Sequence, residues 1–191
     1  MKKLTVIGII IFLTITAIVL VINFYPKEVN IDAQGIKYRL GVEHIGSEKL
    51  VNVKIEGKLY KRISGERRFK GTIDIEDEEI PVPIDQRKLE IAIASNGWGA
   101  INYPYFTSSK KDNVVDGTNI HPYGSLFINS NFSKVTILLS DQNENESDGN
   151  IGESWNSENG YMITVPASNR GEAILLSNEL MEQFLQGLIL N

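Results

Sequence analysis

Val51-Asn52-Val53-Lys54-Ile55-Glu56-Gly57-Lys58-Leu59 and, beyond a turn at Ser64-Gly65-Glu66, Phe69-Lys70-Gly71-Thr72-Ile73-Asp74-Ile75 decide the fold class of this chain. Val51, Val53 and Ile55 alternate with Asn52, Lys54 and Glu56, and the alternation resumes at Phe69, Ile73 and Ile75. Successive side chains of a strand point to opposite faces, so a period of two specifies strands with one buried face. Gly57 marks a bulge, after which Leu59 and Ile63 continue the first strand. Residues 49–76 therefore form a long β-hairpin.

Working outward, Ile36, Tyr38, Leu40 and Val42 alternate with Lys37, Arg39, Gly41 and Glu43 and read as another half-buried strand. Pro81 and Pro83 exclude a central strand between them. Leu89, Ile91 and Ile93 form a short strand stopped by the turn Ser95-Asn96-Gly97. Residues 97–123 are rich in Gly, Asn, Pro and aromatic residues, show no clear period, and read as a long aromatic loop. Strands return at Leu126–Ile128, Val135–Leu139 and Tyr161–Val165, with a polar, acidic loop from Asp141 to Asn159. Ser168 and Asn169 are N-cap residues for a helix over 170–187, with Glu172 in its first turn. Ile174, Leu175, Asn178, Met181, Leu185 and Leu188 fall at helical spacing and predict the stripe that packs on a sheet.

The N-terminus is of another kind. Residues 4–26 contain no charged side chain, and a helix of that length crosses a hydrocarbon core about 30 Å thick. Phe24 and Tyr25 follow at interfacial level, and Pro26 and Lys27 close the segment. A cleaved signal peptide is the alternative, since Lys2 and Lys3 form a basic start. The apolar run exceeds the usual length of a signal core, however, and no small-x-small site follows it. Lys2 and Lys3 hold the N-terminus in the cytoplasm and the following domain outside it, although Lys27, Lys37 and Arg39 nearly balance the count.

The expectation is an α+β protein. An N-terminal transmembrane helix (1–26) is followed by one antiparallel β-rich domain (27–191), a sheet, sandwich or partial barrel, closed by the C-terminal helix. With 42% hydrophobic and 23% charged residues the chain is a folded protein. It has no cysteine, which excludes disulfides, thiolate metal sites and cysteine nucleophiles. A net charge of −5 argues against nucleic acid as a partner. The 26 isoleucines and 17 asparagines against 7 alanines reflect AT-rich codons and point to a bacterial source.

Two histidines, His44 and His121, stand outside any metal-binding spacing, so neither a metal nor a cofactor is expected. Ser125, His121 and Asp116 contain the residue types of a catalytic triad without a nucleophile elbow. Asp74, Glu76, Asp77, Glu78 and Glu79 read as a solvated strand end. Asp141-x-Asn143-x-Asn145 resembles the start of a calcium loop, but Glu146 and Gly152 occupy the positions where such a loop needs glycine and glutamate. Two binding surfaces remain. Lys54, Lys58, Lys61, Arg62, Arg67, Arg68 and Lys70 crowd the hairpin and suit an anionic partner. Trp98, Tyr103 and Tyr105 head the aromatic stretch and suit sugar rings or a protein partner. The expectation is a membrane-anchored, extracytoplasmic binding module of a bacterial envelope. Residues 4–25 would contact the bilayer, and Lys61, Arg62, Arg67, Arg68, Trp98, Tyr103 and Tyr105 would meet an envelope polymer, lipid head groups or a protein. The alternatives are an envelope hydrolase with a non-standard site and a domain tethered on the cytoplasmic side.

Overall fold

The computed structural model describes residues 2–62, 64–108, 115–143 and 152–191, with side chains described at all of these except 2–6, 20–23, 108, 115–116, 141–143 and 152–154. Helix α1 (Lys2–Phe24) leads into β1 (Lys27–Arg39), β2 (Lys49–Lys61), β3 (Arg67–Ile75) and β4 (Leu89–Ile93). Next come β5 (Trp98–Ser108), β6 (Val115–Ile128), β7 (Val135–Leu139), a small ribbon of β8 (Asp141–Asn143) and β9 (Gly152–Ser154), then β10 (Tyr161–Val165) and α2 (Arg170–Leu185).

Eight strands make one antiparallel sheet in the order β4-β3-β2-β1-β10-β7-β6-β5. Its two ends, β4 and β5, are joined by the turn at 94–97, where Ala94 N–H donates to Trp98 O at 2.8 Å. That turn brings β5 against β4 and nearly closes the sheet into a barrel. A Cβ at Gly99 would lie 2.6 Å from Ile91 Cγ2, so this approach requires glycine. A second pair of glycines, Gly57 and Gly71, sits in direct register inside the β2–β3 hairpin. Either Cβ would come within 2.8 Å of the Phe69 ring, which lies across both backbones and lets the strands curl inward. Gly57 thus marks a corner in an unbroken ladder, where its sequence had suggested a bulge.

An eight-stranded barrel is just wide enough to be filled by side chains. Here the inward residues include Val53, Ile55, Phe69, Ile91, Ile101, Leu126, Ile137 and Ile163, all buried in one cluster. The bottom is plugged by the two-proline segment after β3, whose Ile80 and Val82 join that core. Arg87 holds the plug by donating from Nε to Val82 O and from Nη2 to Ile80 O, each at 2.8 Å.

Helix α2 covers the outer face of β1, β10, β7 and β6. Ile36, Tyr38, Leu40, Phe127, Leu138 and Met162 meet Ala173, Met181 and Leu185 in a second core. The predicted stripe is rotated: Leu175 is 73% exposed and Leu188 64% exposed, while Ala173 and Ser177 are fully buried. The helix crosses the sheet closely, so small residues occupy the centre of the contact, and a search for large apolar residues passes over them. Asn169 caps the helix, its Oδ1 accepting from Glu172 N at 2.9 Å. Glu172 reaches back to Ser168 N at 3.0 Å.

Within the stretch 97–123, read as a loop, the described residues 98–108 and 115–123 belong to the paired strands β5 and β6. Ile101 opposes Gly124 and Asn102 opposes Pro122, which leaves Tyr123 as an extra residue between them. That bulge moves the inward side of β6 from even positions (Leu126, Ile128) to an odd one (Tyr123) and erases the period of two. Among the described residues no helix is long and apolar enough to cross a membrane. The described consecutive side chains of α1, 7–19, span about 20 Å at about 1.5 Å per residue.

Candidate binding surface

Register places the hairpin tip at the end of the barrel from which α1 departs. Lys27, the first residue of β1, opposes Leu59, and β2 runs on to Lys61. The tip closes through Arg62 N–H to Glu66 O at 2.8 Å and Gly65 N–H to Arg62 O at 2.9 Å, with Gly65 at φ 85°. Two further turns reach the same end. Arg67 Nη2 donates to Ala94 O at 3.2 Å in the β4–β5 turn, and Ile128 N–H donates to Gly97 O at 3.1 Å beside the β6–β7 turn. Between these turns and α2 lies a groove of about 400 Å³ lined by Arg67, Asn96, Asn129, Ser130, Glu179 and Glu182.

The basic residues are not a bare cationic face. Glu66 accepts from Arg68 at 3.0 Å and from Arg62 at 3.3 Å, and Glu90 is shared by Arg68 at 2.5 Å and Lys70 at 2.8 Å. Lys58 pairs with Glu28 at 3.5 Å and Lys54 with Glu56 at 3.1 Å. The Arg68 hydrogen bond first, and the Arg62 charge next, hold the Glu66 carboxyl below its ordinary range. Lys70 and Arg68 do the same to Glu90. Burial lowers the Arg67 guanidinium. Lys61 and Lys27 make no ion pair among the described residues. At this end Lys27, Lys58, Lys61, Arg62, Arg67, Arg68, Lys70 and Lys134 face Glu28, Glu66, Glu90, Glu179 and Glu182, so the end carries excess positive charge in a chain of net −5.

The opposite end is acidic, with Glu76, Asp77, Glu78, Glu79 and Asp85. Glu78 pairs with Lys37 and accepts from Tyr123 Oη at 3.4 Å, Asp77 pairs with Lys49, and Glu76 accepts from Asn52 N at 3.1 Å. Each of these three carboxylates is engaged with its neighbours.

The aromatic residues divide between the two faces of β5. Tyr103 is fully buried inside the barrel, edge-on to Tyr123 with ring centres 5.9 Å apart. Its hydroxyl makes no hydrogen bond among the described residues, and burial pushes its pKa up to about 12. Tyr105 is half-buried against the same core. Trp98, 38% exposed, lies on the outer face opposite Phe127. Tyr103 therefore offers no surface for stacking, and the three rings do not converge.

No family model, curated protein or solved structure matches this chain.

The triad reading fails on strand geometry. His121 and Ser125 lie on the single strand β6, opposite Tyr103 and Ala100 of β5, which puts them about 10 Å apart along the strand at about 3.3 Å per residue. The Asp116 side chain and the calcium-like residues 141–153 lie outside the described residues. Among the described residues no group of His, Asp or Glu is arranged to hold a metal ion. Lys58 was singled out from sequence with the basic hairpin, but Lys27 was not. The signal was present in Val29, Ile31 and Ala33, alternating residues that extend β1 back to Lys27 and set it beside the hairpin.

Proposed function

We propose that this protein is a single-pass, membrane-anchored binding module of a bacterial envelope, with its barrel-like domain on the extracytoplasmic side. The surface of α1 carries this reading. Ile7, Ile10, Phe12, Leu13, Ile15 and Ile18 are each more than half exposed, and at about 3.6 residues per turn they go round the whole circumference. A helix apolar on every face needs an apolar medium. The 23 residues of α1 reach about 35 Å at about 1.5 Å each, against a hydrocarbon core of about 30 Å. Lys2 and Lys3 stand before the uncharged run and Lys27 after it. The binding part of the proposal is supported by the basic end and by the separation of His121 from Ser125.

Alkaline carbonate extraction of membranes, combined with protease treatment of intact cells carrying a C-terminally tagged chain, tests the reading. The expected result is retention in the membrane pellet and loss of the tag. Release by carbonate overturns the anchor. Protection of the tag until the membrane is permeabilised places the domain on the cytoplasmic side.

A further inference from the structure

We infer that the end of the barrel next to α1 rests on anionic phospholipid head groups, with Lys61 and Arg62 at the β2–β3 tip as the leading contacts and Lys27 and Lys58 behind them. This rests on the anchor reading above. Three observations carry it.

The first is the length of the tether. Helix α1 ends at Phe24 and β1 begins at Lys27, so only Tyr25 and Pro26 separate them. Three peptide links span at most about 11 Å. A barrel on so short a tether cannot drift from the surface that α1 enters.

The second is which end faces that surface. β1 runs away from α1, and its first residue lies level with Leu59. Lys61 is two residues further toward the tip and the turn lies beyond it. At about 3.3 Å per residue the tip projects about 10 Å past the point where the tether joins the barrel. The hairpin tip is therefore the part of the domain that reaches the head groups first.

The third is charge. At this end Lys27, Lys58, Lys61, Arg62, Arg67, Arg68, Lys70 and Lys134 outnumber Glu28, Glu66, Glu90, Glu179 and Glu182, whereas Glu76 to Glu79 and Asp85 gather at the other. Tip and tether fall within about 8 Å of head groups, the screening length at physiological ionic strength, where attraction to acidic lipid survives. Ion pairing with Glu66 leaves the Arg62 guanidinium exposed, and Lys61 makes no ion pair among the described residues, so both are available without breaking the fold.

The native chain has no cysteine, so a single one can report position. Full-length protein carrying S64C at the tip, or D85C at the far end, is labelled with a fluorophore and reconstituted into vesicles of phosphatidylcholine alone or mixed with phosphatidylglycerol. A lipid spin-labelled at its head group serves as quencher. Quenching at S64C is expected to rise several-fold in the anionic vesicles, while D85C stays unquenched in both. K61Q/R62Q, which leaves the core untouched, is expected to remove most of that rise, and K61E/R62E all of it. Raising salt to about 1 M, where the screening length falls to about 3 Å, is expected to act likewise. Equal quenching of S64C in both lipids, or persistence of the rise in K61E/R62E, overturns the inference and leaves the anchor standing if carbonate fails to extract the protein. Extraction by carbonate with the S64C response intact overturns the anchor and leaves the head-group contact.

Discussion

The two faces of the sheet are buried by different means. The inside of the barrel is closed by hydrocarbon fitted to glycine corners. The outside is closed by a helix whose central contact is polar. Tyr38 Oη meets Ser177 Oγ at 2.8 Å, and Ser177 Oγ meets Thr164 Oγ1 at 2.8 Å and Thr136 Oγ1 at 3.0 Å, all buried. Each hydroxyl can both donate and accept, so the four can satisfy one another away from water. Two buried tyrosines make the contrast sharp: Tyr38 on the outer face has partners, and Tyr103 on the inner face has none among the described residues. Apolar packing tolerates a shift of position better than a hydrogen-bonded set does, and the hydroxyl cluster thus fixes where α2 sits.

The comparison can be broken most forcefully from the inside. Phe69→Ala removes the ring that covers Gly57 and Gly71 and touches Phe132 at 5.1 Å. It is expected to cost about 3–5 kcal/mol in denaturant unfolding, because glycine backbones cannot collapse into the gap. On the outer face, Ser177→Ala leaves three buried hydroxyls short of a partner and is expected to cost about 1–3 kcal/mol. A cost near zero would show the cluster to be incidental.

The tyrosine pair sharpens the contrast. Tyr38→Phe is expected to destabilise by about 1 kcal/mol, and Tyr103→Phe to be neutral or stabilising, since it removes a hydroxyl that has no partner. Burial raises the Tyr103 pKa from 10.0 to about 12, so the folded state retains a proton that the unfolded chain gives up. Its stabilisation is complete below pH 10 and is lost as pH climbs from there to about 12. Tyr103→Phe is expected to flatten that alkaline limb in pH-dependent melting. Loss of the helix cap in Asn169→Ala is expected to cost about 1 kcal/mol and to loosen the outer face alone. Arg62→Gln, at an exposed ion pair, is expected to change stability by less than about 0.5 kcal/mol while weakening the lipid contact.

The hairpin was legible because one face of β2 and β3 is inside and the other in water. Strands whose parity changes were harder to read. In β1 the inward residues are odd (Val29, Ile31, Ala33), while the helix covers even ones (Ile36, Tyr38, Leu40), and only the second half was read as a strand. In β6 the bulge at Tyr123 hid all of the strand but its end, Leu126–Ile128. The basic cluster was visible as composition, but the carboxylates of Glu28 and Glu90 come from neighbouring strands and lie far from it in sequence.

Local order is written in the chain itself: alternation specified the hairpin, prolines excluded a strand at 81–83, and Asn169 marked the start of α2. The same sequence set an uncharged run before the domain. Closure of the sheet, insertion of β10 between β1 and β7, burial of Tyr103 and the gathering of positive charge beside the tether were decided by tertiary structure alone. Alternation records which face of a strand is buried, whereas neighbours and ends depend on contacts between residues far apart in the chain.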